Sequence, residues 1–203
     1  MQNFNNHNVI KATYSENSII VYQAYNNIIA DSALTNQTFI APPFKLERMS
    51  WIKTSFLWMM YRSGWATKEN QNRILAIEIT KEGFIWALEN SVLTSYNELT
   101  GLSLEEWKLS LNNKPVRIQW DPERNILLEP MSTRAIQIGL SNDALKNYIN
   151  NWIISITDIT EKCKNTKYLI DSGCLNQAIE NIPKEKEYLI QISKIVKKQI
   201  ILS

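Results

Sequence analysis

The run Trp51-Ile-Lys-Thr-Ser-Phe-Leu-Trp-Met-Met-Tyr-Arg-Ser-Gly-Trp65 constrains the fold most. Its density of Trp and Met demands a core, yet Lys53, Thr54, Ser55, Tyr61, Arg62 and Ser63 interrupt it. Lys and Arg are almost never fully buried unless paired, so the mixture reads as the wall of a pocket. A helix from Ser55 places Ser55, Trp58, Met59 and Arg62 at i, i+3, i+4 and i+7, on one face. Lys53 and Thr54 then lie at its N-terminal turn, where free backbone N–H groups and the helix dipole favour an anion such as phosphate. The competing reading is a buried amphipathic helix whose cations snorkel to water.

A chain of 203 residues, 44% hydrophobic, is long enough for one domain with a sizeable core. Its net charge of +2 supplies no field toward a membrane, and leaves nucleic acid open only through local basic patches. No apolar run approaches the roughly 18 residues that span a bilayer, and the N-terminus lacks a signal-peptide pattern. The expected location is cytoplasmic. Cys163 and Cys174 have neither a CxxC spacing nor a histidine partner and read as free thiols. The single histidine, His7, falls in an Asn-rich leader, residues 1–9, expected to be disordered. Ser-His-Asp, Cys-His and His-ligated metal mechanisms therefore lose their central residue, and no metal is expected. None of the five glycines falls in a dinucleotide-binding or P-loop pattern. Any catalysis is left to carboxylates, amides, hydroxyls, Lys, Arg and aromatic rings.

Ser18 to Tyr25 reads as a strand with Ile20, Tyr22 and Ala24 on one face and Ile19, Val21, Gln23 and Tyr25 on the other. Gln23 thus points with an apolar set and must act as a structural bridge or a ligand contact. A helix follows from Asn26 and ends before Ala41-Pro42-Pro43. Further strands are expected at Arg73–Thr80, at Pro115–Trp120 stopped by Asp121-Pro122, and at Arg134–Leu140, with a few paired residues at Leu127 and Leu128. Helices are expected over residues 81–90, over 100–111 with a Ser103/Glu106 capping box, and from Ala144 to about Ile156. From Thr160 the chain reads as mostly helical with a solvated charged face, and the segment from Tyr188 as strand or helix. Strands and helices mix without regular βαβ alternation. This points to an α+β single domain with a central mixed or antiparallel sheet flanked by helices and a helical C-terminal extension.

At Tyr22-Gln-Ala-Tyr25, Trp51-Ile-Lys53, Met60-Tyr-Arg-Ser-Gly-Trp-Ala66, Gln119-Trp-Asp-Pro-Glu-Arg124 and Arg134-Ala-Ile-Gln-Ile-Gly-Leu140 the chain resembles the family called DUF4291, whose name carries no activity. The resemblance covers residues 10–188, with 1–9 as leader and 189–203 as an extension particular to this chain. A second resemblance is to NAD-dependent ADP-ribosyltransferases. Tyr22-Gln-Ala-Tyr25 is similar to their opening Tyr-(His or Arg)-Gly-Thr strand, Lys53-Thr-Ser55 to their Ser-Thr-Ser strand, and Gln119-Trp-Asp-Pro-Glu123 to their acidic motif. Gln23 stands where that family has His or Arg, Ala24 where it has Gly, and the carboxylate falls among Asp121, Glu123 and Glu129. This resemblance implies NAD as substrate, a macromolecular acceptor, and a carboxylate that stabilises an oxocarbenium-like state without histidine or metal.

On these grounds Gln119, Asp121 and Glu123 are the catalytic candidates, against a reading in which Asp121 and Glu123 serve turn chemistry. Tyr22, Gln23, Tyr25, Lys53, Thr54, Ser55, Tyr61, Arg62 and Arg134 are the ligand-binding candidates. Gln23, Lys53, Ser55, Tyr61, Arg62, Gln119 and Asp121 are expected to line one pocket, since one cleft satisfies them together. The alternative function is a non-catalytic module that holds a nucleotide or a nucleic-acid strand by stacking and phosphate contacts.

Overall fold

The β-branched and aromatic runs form strands and the capped apolar stripes form helices, in a computed structural model that describes residues 7–203. The strands are β1 (His7–Asn8), β2 (Lys11–Ala12), β3 (Ser18–Tyr25), β4 (Ser50–Lys53), β5 (Arg73–Thr80), β6 (Ser91–Leu93), β7 (Val116–Arg124), β8 (Pro130–Leu140), β9 (Ile153–Asp158) and β10 (Lys186–Glu187). The helices are α1 (Asn27–Asn36), α2 (Phe56–Ser63), α3 (Lys81–Glu89), α4 (Leu104–Asn113), α5 (Asn142–Asn147), α6 (Thr160–Asp171), α7 (Leu175–Asn181) and α8 (Lys194–Gln199). The main sheet runs β6-β7-β8-β4-β3-β5-β9, with β1 added to β8, while β10 pairs with β2 apart from it. It is mixed, because β6/β7 and β1/β8 are parallel and the remaining pairs antiparallel. The protein is thus α+β.

Both faces of the sheet are covered. On one, Ile19 and Val21 of β3 and Ile77 and Ile79 of β5 pack with Ala30 and Ala33 of α1, Phe84 and Leu88 of α3, and Leu145 of α5. On the other, Tyr22 and Ile74 pack with Phe56, Met59 and Met60 of α2 and Cys163 of α6. Each large apolar side chain so buried contributes about 1.5–3 kcal/mol. Gly83 allows the close approach of α3 to the turn Tyr148–Trp152, since a Cβ there would lie 2.3 Å from the Trp152 ring. The helix starts follow their caps: Asn26 accepts from the Ile29 N–H, and Ser103 and Glu106 close a reciprocal capping box.

Several elements depart from expectation. β7 does not stop at Asp121-Pro122 but runs to Arg124, with a bulge between Pro122 and Arg124. The Ile118 carbonyl accepts from Thr94 N–H on the β6 side. Pro122 has the same parity, so its missing N–H faces the edge that β6 leaves open, the place a strand tolerates proline. Leu127 and Leu128 form a turn, not a ladder, and β8 begins earlier, at Pro130. The helix expected through Ile156 ends in a π-helical turn at Tyr148–Trp152, after which the β-branched run Ile153-Ile-Ser-Ile-Thr157 becomes β9 on the edge of β5. Residues 1–6 of the leader lie outside the described residues. His7 and Asn8 pair with β8, and Val9 is buried. Beyond residue 188, Ile190 and Ile200 enter the large core, and the Trp120 indole donates to the Ile200 carbonyl at 2.7 Å. Among the described residues no helix is long and apolar enough to cross a membrane.

Candidate functional site

The site follows from one irregularity in the sheet. β3 pairs with β5 along its whole length, from Ser18↔Thr80 to Tyr25↔Arg73, but meets β4 only at Tyr22↔Lys53. Past that pair β4 follows β8, and β3 and β4 diverge around a cavity of about 780 Å³. Its lining includes Gln23, Tyr25 and Phe44 from one face of the sheet and Lys53, Gln119 and Gln137 from the other. A cavity bordered by both faces is what a gap in a ladder produces. Its volume falls in the range of small-ligand pockets.

Gln23 closes the base of the gap. Its Nε2 donates to Ser50 Oγ and Tyr25 Oη, both at 2.8 Å, and its Oε1 accepts from the Tyr148 hydroxyl at 2.8 Å. A side-chain amide thus substitutes for the backbone ladder that β3 and β4 no longer share. Of the two roles read for Gln23, the bridge is the one built here, since its donor and acceptor ends both have protein partners. Burial, first of all, raises the Tyr25 and Tyr148 hydroxyls well above the usual tyrosine range, so both stay neutral.

Across the gap the register Tyr22↔Lys53↔Gln137↔Gln119 forms one cross-sheet row. Lys53 is 7% exposed; its Nζ donates to the Trp51 carbonyl at 3.1 Å and lies 5.6 Å from the centre of the Trp58 ring. Burial, reinforced by Arg62 and opposed by Asp121, lowers the Lys53 ammonium to about 7. Lys45, Arg48 and Arg62, all exposed, ring the opening, where Glu69 is the only acidic lining residue among the described residues. None of these four cations has a carboxylate within 4.0 Å among the described residues. Gly139 shapes the wall, for a Cβ there would lie 2.5 Å from Met49 Sδ and 3.0 Å from the Trp51 ring.

The other predicted residues distribute as follows. Asp121 does not line the cavity; it accepts from Gln119 Nε2 at 3.0 Å and from Gln137 Nε2, and so sits directly behind two lining amides. Glu123, Thr54 and Ser55 are buried at the start of α2 and do not line the gap. Ser55 caps that helix by accepting from Trp58 N–H and donates to Glu123 Oε1 at 2.6 Å, and Glu123 also accepts from Arg124 N–H. The N-terminus expected to receive an external anion is occupied by the chain's own carboxyl group: Glu185 Oε1 accepts from Phe56 N–H at 2.6 Å. Burial raises the Glu185 carboxyl to about 8, and neighbouring Glu123 adds to the effect. Tyr22 is core, edge-to-face on Phe56, and Tyr61 lies on the surface with the Arg124 guanidinium 3.6 Å above its ring. Arg134 lines a second cavity of about 930 Å³ beyond the end of β6, where its Nη2 donates to the Trp120 carbonyl at 3.1 Å. The two cavities share Gln119.

Of the expected pocket set, then, Gln23, Lys53, Arg62 and Gln119 come together, Asp121 stands behind them, and Ser55 and Tyr61 lie elsewhere. Lys45, Arg48, Ser50, Gln137 and Glu185 were not singled out from the sequence. Gln137 carried the signal used for Gln23, a polar residue between Ile136 and Ile138 in an apolar strand. Glu185, in a charged segment, carried none. Residues 9–188 match the model of a family described as "Domain of unknown function (DUF4291)". No curated protein matches the chain.

Proposed function

The chain belongs to the DUF4291 family, and we propose that the gap between β3 and β4 binds a phosphate-bearing nucleotide, with NAD the first ligand to test. One observation carries this reading. Lys45, Arg48 and Arg62 converge on the mouth of a ligand-sized cavity with no carboxylate partner among the described residues. Guanidinium and ammonium groups left unpaired around a concavity suit an anion with several oxygens. The Gln119 and Gln137 amides and the Tyr25, Phe44 and Trp51 rings supply polar and apolar surface for the rest of a nucleotide.

A second reading, ADP-ribosyl transfer to a macromolecular acceptor, is favoured by the place of Asp121. Its two oxygens are held by the two amides that line the cavity, so movement of Gln119 and Gln137 onto a ligand uncovers a carboxylate beside it. Such a carboxylate would stabilise the oxocarbenium-like state formed as nicotinamide leaves. A cytoplasmic setting would supply both NAD and acceptors. Incubation with NAD, with nicotinamide release followed by chromatography, separates the two readings. A transferase releases nicotinamide, and Asp121→Asn abolishes the release while leaving NAD affinity nearly unchanged. A binding module stabilises on NAD addition without release. Neither thermal shift nor release at millimolar NAD removes NAD as the ligand.

A further inference from the structure

We propose that Lys53 is a nucleophilic amine that forms an imine with a phosphorylated aldehyde, such as an open-chain sugar phosphate, seated in the sheet gap. The inference rests on the reading of the gap as a phosphate site and goes beyond it by assigning covalent chemistry to its floor. Lysines that serve only to attract phosphate belong at a wet rim, where the charge is cheap to maintain, and Lys45 already occupies that position. Lys53 is placed differently. It stands on the central row of the sheet, 7% exposed, and still lines the cavity. Its Nζ has a backbone carbonyl as hydrogen-bond partner and no carboxylate within 4.0 Å among the described residues.

The groups facing that amine are Arg62 from α2, Asp121 from β7 and the Trp58 ring. Asp121 and Trp58 favour the ammonium; burial and Arg62 oppose it and prevail, so that Lys53 titrates at about 7. Desolvation beside another cation is a recognised way to free a lysine lone pair at neutral pH. The chemistry balances without a further reactant. The Nζ lone pair attacks the aldehyde carbon, and the C=O π pair moves to oxygen, which takes up a proton. The resulting carbinolamine loses its hydroxyl as water while nitrogen gives up its proton, leaving C=N. Lys45, Arg48 and Arg62 at the mouth hold the phosphate, and the aldehyde end reaches the floor.

Pyridoxal 5′-phosphate is a suitable probe, trapped by borohydride and located by peptide mass mapping of the native protein. The expected result is one dominant adduct, on Lys53, formed roughly tenfold more at pH 8 than at pH 6, as the neutral fraction of an amine titrating near 7 requires. Inorganic pyrophosphate should suppress it, and pyridoxal without phosphate should label weakly. Lys53→Arg, which keeps the charge, should lose the adduct yet retain pyrophosphate binding. Labelling spread over surface lysines, or a Lys53 peptide that stays unmodified, overturns the imine. If pyrophosphate still raises the melting temperature in that case, the phosphate site survives; if it does not, both proposals fall.

Discussion

The gap between β3 and β4 and the N-terminus of α2 lie on either side of Lys53-Thr54-Ser55, and they treat charge in opposite ways. At the helix start both carboxyl groups find partners within the chain: Glu185 takes the Phe56 N–H, and Glu123 takes the Ser55 hydroxyl and the Arg124 N–H. At the gap Lys45, Arg48, Lys53 and Arg62 face open volume without a carboxylate in reach among the described residues. Internally matched polar groups serve the fold, because an unmatched buried group costs about 1–3 kcal/mol. Unmatched cations around a cavity are the feature from which the anion site is proposed. The contrast corrects the view of residues 53–55 as one anion site: Lys53 belongs to the gap, whereas Thr54 and Ser55 belong to the helix start.

The largest effect should come from breaking the bridge that bounds the gap. Gln23→Leu removes the Tyr148 hydroxyl's partner and leaves Ser50 and Tyr25 only each other, and urea unfolding should report a loss of about 3 kcal/mol. Ser55→Ala should cost about 2 kcal/mol, since it removes the cap on Trp58 N–H and a hydrogen bond to buried Glu123.

Glu185 makes stability at the helix start depend on pH. The Glu185 carboxyl titrates at its ordinary 4.5 when unfolded and at about 8 when folded. The folded state therefore holds a proton that the unfolded chain has released, and this contribution, full below 4.5, is lost as pH rises through 8. The Glu185→Gln variant should lack that decline and exceed the native protein in stability above pH 8. Lys53 acts with the opposite slope. Folding lowers it from 10.5 to about 7, so the unfolded chain binds more protons in that window and stability rises with pH across it. Lys53→Met should flatten that rise. Arg48→Ala combined with Arg62→Ala should alter stability least, by no more than about 0.5 kcal/mol, because both side chains are exposed and unpaired. A larger loss would show that these cations serve the fold and would erase the contrast.

Much of the frame was legible. The alternation of β3 correctly divided Ile20, Tyr22 and Ala24 from Ile19, Val21, Gln23 and Tyr25, because successive side chains of a strand point to opposite faces whatever their polarity. The Ser103/Glu106 box and the strand at Arg73–Thr80 were equally direct. β9 was hidden because Tyr148, Ile149, Trp152 and Ile156 keep helical spacing across the π-helical turn where the helix ends. The site was half legible. Polar residues inside apolar strands pointed to Gln23, Lys53 and Gln119, but not to the divergence of β3 from β4, which depends on β4 following β8. Glu185 reaches Phe56 from 129 residues away, a pairing that no local pattern announces.

Calorimetric titration shows whether the sheet gap is an anion site. NAD or pyrophosphate would be titrated at low salt into the native protein and into the Arg48→Ala, Arg62→Ala variant. Saturable binding to the native protein, at least tenfold weaker in the variant and weakened by added salt, is the predicted result. Equal affinities in the two proteins, or no heat with either ligand, would contradict it.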